Sequence, residues 1–369
     1  MNTPKKQEIV VVGGGTGWHI FPVKTLIEYL DKNWYFDREL DTIFWLGLSN
    51  SLEQKVCQSL CLDRVKFVSI ASWKRRREWT VISFFRNVKD FAMLLRGVII
   101  CLKFFLTHPK VSKIFCKGGF VSLPVVLAWF ILRKKIIVHE SDTVSGLANK
   151  ICSRFATKTF TGFEGVIKNA QPIGQIISPE LLASSDPKIE IDTNRQTITN
   201  FLVVGGSQWS QKLYETLWEI FLENTMSAVH FYIIWGTQNN HLKSFFSQFS
   251  FVSFLDFVSQ SQMWQLCQLC DVWITRWWAT SLAEQKLFWM KLIIVPLPYT
   301  GWNHQYFNAL YYEKKYQDIL ISQNDSLKTN LQKQILSLQN FKKNSLATAE
   351  IMAEISKAPA EISKALFSS

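Results

Sequence analysis

The chain predicts the α/β class, with two doubly wound parallel-sheet domains facing each other across a cleft. Three observations carry this expectation. Two apolar β-branched runs break into glycines and then turn helical: Ile9–Val12 runs into Gly13-Gly14-Gly15-Thr16-Gly17, and Phe201–Val204 into Gly205-Gly206-Ser207. Strand-like and helix-like runs alternate after each opening, as right-handed crossovers in a parallel sheet require. A polar stretch over 165–198, bearing Pro172, Pro179 and Pro187, separates the two series.

In chain order, strands are expected at 8–13, 41–47, 65–70, 112–116 and 135–139. Helices are expected at 21–32, 50–60, 82–107, 121–133 and 144–154. The second series places strands at 200–205, 229–234, 251–254, 271–275 and 292–296, with helices at 209–223, 262–269, 279–288 and 304–315. The domains are then 1–164, an interdomain segment 165–198, a second domain 199–327 and a helical tail 328–369. The tail repeats Ala-Glu-Ile-Ser-Lys-Ala around Pro359. It reads as a frayed low-complexity end, with a docking helix as the alternative.

With 369 residues, 48% hydrophobic and 19% charged, the chain is globular and long enough for two cores. A net charge of +12 favours anionic partners. No nucleic-acid recognition module is visible. Seven scattered cysteines suit a reducing compartment, and the lone Cys267/Cys270 pair has no second pair to complete a metal site. The N-terminus leads straight into a strand and does not read as a signal peptide. The longest apolar run, Gly97–Leu106, is interrupted by Lys103 and too short to span a bilayer. Tryptophan stands at 15 and glycine at 16, where average usage gives roughly 26 glycines. One explanation covers both counts: some glycine codons are written as tryptophan, as when a UGA codon read as glycine is translated as Trp.

Further segments follow predicted strands. Lys117-Gly118-Gly119-Phe120 is a second glycine turn, and His139-Glu140-Ser141-Asp142 closes the strand at 135–139. Thr275-Arg276 opens the helix carrying Glu284, and Pro296–Gln305 leads into a helix with Asn308. All lie at carboxyl ends of strands, where open α/β sheets bind ligands. A strand-to-helix turn also presents free amides to phosphate.

Taken together these segments resemble the MurG-type glycosyltransferases of GT-B fold, two Rossmann-like domains, over roughly residues 8 to 325. The family's Gly-Gly-Thr-Gly-Gly-His-x-x-x-Pro is here Gly14, Gly15, Thr16, Gly17, Trp18, His19 and Pro22. Its Gly-Gly-Ser-Gln-Gly is Gly205, Gly206, Ser207, Gln208 and Trp209, and its Arg-x-Gly-Ala-x-Thr/Ser-x-x-Glu is Arg276, Trp278, Ala279, Ser281 and Glu284. The Asp-x-Gln…Asn-Ala segment is Asn303, His304, Gln305, Asn308 and Ala309, and the His-Glu-x-Asn segment is His139, Glu140, Ser141 and Asp142, followed by Asn149. Trp18, Trp209, Trp278 and Trp289 stand where the family has glycine, as does Trp73; Trp264, Trp273, Trp277 and Trp302 are further candidates. Trp45 and Trp235 sit in apolar strands and read as genuine. The family's Gly-Asn-Pro-x-Arg has Ser178 in place of the arginine, and Asp142 replaces its Asn.

The resemblance implies an inverting, metal-independent transfer of N-acetylglucosamine from UDP-N-acetylglucosamine to the 4-hydroxyl of lipid I, giving lipid II for peptidoglycan. No cofactor is implied. Gly14, Gly15, Gly118, Gly119 and Asn149 would form acceptor or phosphate loops. His19 is the candidate general base, with loop orientation as its alternative role, and Glu140 competes for the same task. The donor would contact Thr16, Gly17, Trp18, Asp142, Ser207, Gln208, Val258, Ala279, Thr280, Ser281, Leu282, Ala283, Glu284, Gln305 and Asn308. Glu284 would accept the ribose hydroxyls. Lys74, Arg75, Arg76, Trp79, Ile82 and Phe85 mix cations with apolar side chains and imply docking on the anionic cytoplasmic face of the membrane. Cell-wall synthesis and division proteins are the implied protein partners. The rivals are another GT-B enzyme, such as a lipid glycosyltransferase or a UDP-sugar epimerase, and a non-catalytic scaffold if every indole is genuine.

Overall fold

The computed structural model describes residues 7–33, 35, 41–72, 81–179, 198–205, 211–223, 226–234, 243–256, 258–276, 279–298, 303–344 and 348–367; for 81–90, 243, 260 and 348 the backbone alone is described. The chain divides into two compact units, Met1–Ile177 with Ile355–Ser369, and Ser178–Glu354.

The first unit alternates β1 (Glu8–Gly13), α1 (Gly17–Lys32), β2 (Thr42–Gly47), α2 (Leu52–Ser59), β3 (Val65–Ser69), α3 (Val81–Thr107), β4 (Val111–Gly118), α4 (Ser122–Ile131), β5 (Lys135–Glu140), α5 (Leu147–Phe155), β6 (Lys158–Thr161) and β7 (Gln171–Pro172). Its seven-stranded sheet runs β3-β2-β1-β4-β5-β6-β7, with every ladder parallel. The order reverses between β1 and β4, whose last residues Gly13 and Gly118 are register partners. Strand β1 is buried throughout, which explains its unbroken apolar run. Its alternate side chains serve two cores. Ile9 and Val11 pack with Ile20, Val23, Leu26 and Leu30 of α1. Val10 and Val12 pack with Cys101 and Phe105 of α3 and Val125 and Trp129 of α4.

The second unit holds β8 (Thr199–Val204), α6 (Gln211–Glu223), β9 (Val229–Ile234), α7 (Lys243–Phe246), β10 (Val252–Leu255), α8 (Gln260–Leu269), β11 (Val272–Thr275), α9 (Ala279–Lys286), β12 (Lys291–Ile294), α10 (His304–Tyr316), β13 (Ile319–Leu320) and α11 (Leu327–Ser337). Its parallel six-stranded sheet runs β10-β9-β8-β11-β12-β13 and reverses between β8 and β11. Helix α8 starts at a capping box in which Ser259 and Gln262 exchange side-chain and backbone bonds.

The boundaries differ from the sequence reading in two places. Residues 165–177 belong to the first unit and add β7 to its sheet. The tail is not a frayed end. Leu327, Leu331 and Ile335 of α11 complete the core of the second unit. A final helix, α12 (Thr348–Phe367), returns to the first, where Ala358, Ile362 and Leu366 join the core against Ile9, Val11 and Trp45. Phe367 packs against the Tyr35 ring, with centroids 5.7 Å apart. Burial of a helical apolar stripe outweighs the bond that Pro359 removes.

Candidate active site

The first unit's site is built at the switch point of its sheet. Strand β1 ends in Gly13 and the chain turns through Gly14 and Gly15 to α1, whose N-cap is Thr16. Gly15 has φ +85, so the turn needs a residue without a side chain. Thr16 takes the extended N-cap conformation, yet its hydroxyl caps nothing and is buried without a hydrogen-bond partner among the described residues. His19 follows in the first turn. A Cβ on Gly119 would press on both Gly14 and the His19 ring, so the glycine turn after β4 lies directly against the first loop. Gly118 (φ +106) is similarly packed against the Asn149 side chain. The structure thus brings Gly14, Gly15, His19, Gly118, Gly119 and Asn149 together.

Behind these loops lies a buried charged cluster. Glu140, 2% exposed, accepts the Asp142 N–H on Oε1 (3.0 Å). Its Oε2 accepts Ser145 Oγ–H (3.0 Å), the Gly146 N–H (3.1 Å) and Asn149 Nδ2–H (3.0 Å). One carboxylate therefore folds the 140–149 loop around itself. Burial raises its pKa, and the neighbouring Asp142 adds to the rise. Lys117 is fully buried and donates from Nζ to Ser141 Oγ. Burial lowers its pKa, while the charges of Glu140 and Asp142 oppose that. His139 is held neutral, its pKa down to about 3, by burial first and the Lys117 charge second. Its Nε2 lies 3.0 Å from Gly174 O, an N–H donor position.

The second unit repeats the plan. Val204 and Thr275, at the ends of β8 and β11, are register partners across the switch point. Gly205 follows β8, and its N–H donates to Tyr214 Oη (2.9 Å), which donates in turn to Ile234 O (2.8 Å). That phenol ties the carboxyl ends of two neighbouring strands together. Arg276 follows β11. It is 2% exposed, and Nε, Nη1 and Nη2 have no hydrogen-bond partner among the described residues. Burial lowers its pKa to about 10. Sequence reasoning quoted Arg276 in its motif and did not assign it to the site; its signal is its place at a strand end.

On α9, Ala279 and Leu282 are buried, while Thr280, Ser281, Ala283 and Glu284 are partly exposed. Burial pushes the Glu284 carboxyl up to about 7. On α10, Gln305 and Asn308 are both buried, and Gln305 Oε1 accepts the Leu297 N–H (2.9 Å), bracing the loop after β12. Val258 immediately precedes the α8 cap, apart in sequence from these segments. Thr16, Gly17, Trp18 and Asp142 belong to the first unit and the other described donor residues to the second. Ser207, Gln208, Trp209, Trp278, Trp73, Lys74, Arg75, Arg76 and Trp79 lie outside the described residues, as do the side chains of Ile82 and Phe85. No cluster of three or more His, Cys, Asp or Glu side chains among the described residues is placed to hold a metal ion.

Known proteins share this plan. The glycosyltransferase family 28 N-terminal domain matches residues 9–161, and the family's C-terminal domain matches 200–365. A UDP-N-acetylglucosamine–N-acetylmuramyl-(pentapeptide) pyrophosphoryl-undecaprenol N-acetylglucosamine transferase from Borreliella burgdorferi is 37% identical over 212 residues, 55% of this chain and 54% of that protein. The protein of the same name from Staphylococcus carnosus is 33% identical over 222 residues, 57% of this chain and 56% of that protein. The chain thus aligns with about half the length of these curated relatives. A crystal structure of MurG from Acinetobacter baumannii superposes with a TM-score of 0.70 at 18% identity, covering 98% of this chain and 99% of that one. The architecture is therefore GT-B, two Rossmann-like units. With both of the family's domains matched in order across most of its length, the chain belongs to glycosyltransferase family 28.

Proposed function

We propose that this protein transfers N-acetylglucosamine from UDP-N-acetylglucosamine to the 4-hydroxyl of lipid I, giving lipid II. The observation that carries the reading is the placement of the family's motif residues at both sheet switch points. Gly14, Gly15, His19, Gly118 and Gly119 gather in the first unit; Gly205 and Arg276 end adjacent strands in the second. The relatives' names supply the substrates.

The donor diphosphate needs compensating charge, and the family arginine is Ser178 here. Arg276 carries a buried charge with no hydrogen-bond partner among the described residues, which is costly until an anion arrives. The diphosphate fills that need together with amides of the β8–α6 turn. Ionised Glu284 accepts the ribose hydroxyls. The acceptor's 4-oxygen attacks the anomeric carbon as the bond to the UDP oxygen breaks, and the hydroxyl proton passes to a base. His19 suits that task better than Glu140, whose two oxygens already accept four protein donors. No metal is required in this scheme.

No helix among the described residues is long and apolar enough to cross a membrane. Peripheral docking on an anionic leaflet fits the long helix α3. Phe91, Leu95, Ile99 and Leu106 are exposed and share one face at 100° per residue, beside exposed Arg96 and Lys103.

The test is a transfer assay with UDP-N-acetylglucosamine and lipid I in detergent, with and without a chelator. Lipid II formed at equal rate in both supports the reading. Sugar release without lipid II would overturn it. His19→Ala should abolish turnover with UDP binding retained, whereas Glu140→Gln should lower the melting temperature first.

A further inference from the structure

Among the described tryptophans, four buried ones contrast with Trp289. Trp45 and Trp129 are fully buried, and Trp129 Nε1–H donates to Lys135 O (3.0 Å). Trp264 and Trp273 are buried too, and Trp264 packs edge-on against Phe288 at 4.7 Å between centroids. These four behave as indoles do, filling cores. Two of them, Trp264 and Trp273, were candidates for a misread glycine; their packing removes them.

Trp289 behaves in the opposite way. It lies just past α9, where its N–H closes the last turn on Lys286 O (3.0 Å). Its φ is +56 and its side chain is 51% exposed. A left-handed residue past a helix end is most often glycine, because a Cβ there meets the following carbonyl, although Arg133 past α4 and Gln317 past α10 take the same conformation here. A tryptophan there gains only partial burial in exchange, about half of its surface staying exposed. Among the described residues no other tryptophan has positive φ. Residue 289 is also one of the five positions where the family resemblance expects glycine.

We propose that the chain made in its own cell carries glycine at 18, 73, 209, 278 and 289, through UGA codons read by a glycine tRNA. The conclusion at 289 stands on backbone geometry. Those at 18, 73, 209 and 278 stand on motif position and on the shortfall of glycine, 16 against roughly 26. The functional consequence, which rests on the transferase reading above, is that both phosphate loops present bare backbone. Residue 18 is in the first turn of α1 beside His19, and 209 and 278 flank the second unit's switch point in sequence. An indole at these places would stand where amides approach an anion.

The test is peptide mass spectrometry of the protein purified from its source. Expected are peptides lighter than written by one indolylmethyl group at each of the five positions, with tryptophan kept at 45, 129, 264 and 273. Tryptophan at 289, or at 18, 209 and 278, overturns the proposal. A second measurement compares the chain as written with one carrying Trp18→Gly, Trp73→Gly, Trp209→Gly, Trp278→Gly and Trp289→Gly. UDP should bind the glycine chain at least tenfold more tightly by calorimetry; equal affinity overturns the loop consequence. If the masses show glycine but the glycine chain makes no lipid II, the decoding stands and the transferase reading falls.

Discussion

Arg276 follows β11 and Glu284 lies on α9, and burial shifts the pKa of each. A buried guanidinium whose three nitrogens have no partner among the described residues costs stability. Arg276→Met should therefore leave the melting temperature unchanged or raised. The same change should weaken UDP binding by about tenfold to a hundredfold, the loss of one charge-assisted contact of about 1.5–3 kcal/mol. A structural arginine would give the reverse pattern, lower stability with unchanged affinity. Under the proposed ribose contact, Glu284, with its carboxyl near 7, would make binding depend on pH. Its folded value lies above the unfolded one, so the folded protein holds the proton more tightly. Its contribution to stability is greatest below about pH 4.5 and is lost as pH rises through 7. Ribose hydroxyls donate to the ionised form, so UDP affinity should rise from pH 6 to pH 8 with release of a proton. Calorimetry in buffers of different ionisation enthalpy measures that release, and Glu284→Gln should abolish it.

At the scale of elements, the sequence exposed the long pieces and hid the short ones. Strands β1 to β5 and β8 to β12 all lie where apolar runs suggested. Strands β6, β7 and β13 went unseen, because four residues or two hold no measurable period. The loop around Glu140 was legible as a motif, but its role was not. Nothing in His-Glu-Ser-Asp says that the carboxylate will gather donors from residues up to nine positions on. Helix α12 is the instructive miss. Ile355, Ala358, Ile362 and Leu366 are spaced three, four and four apart, an apolar stripe that Pro359 and the repeated hexapeptide masked. Its weight can be measured: Ile362, fully buried against the first unit's core, should cost about 3 kcal/mol as Ile362→Ala in urea unfolding. A tail that merely frays would tolerate the change.

On the scale of the whole molecule, the proposed docking combines the net charge of +12 with the exposed face of α3. In the proposed docking, cations would draw the protein to an anionic surface and apolar side chains would hold it there. Leu95→Glu with Ile99→Glu should cut sedimentation with phosphatidylglycerol vesicles severalfold while leaving turnover in detergent intact. Raising salt should weaken the unmodified protein's attachment only in part, since the apolar contribution is not screened. Helix α12 has a final consequence in time. The first unit's core joins residues as far apart in sequence as Ile9 and Leu366. A nascent chain emerging from the ribosome cannot finish that core until α12 has been made. The first half to be synthesised is thus the last to be completed, and a chain cut short before residue 355 leaves part of that core uncovered.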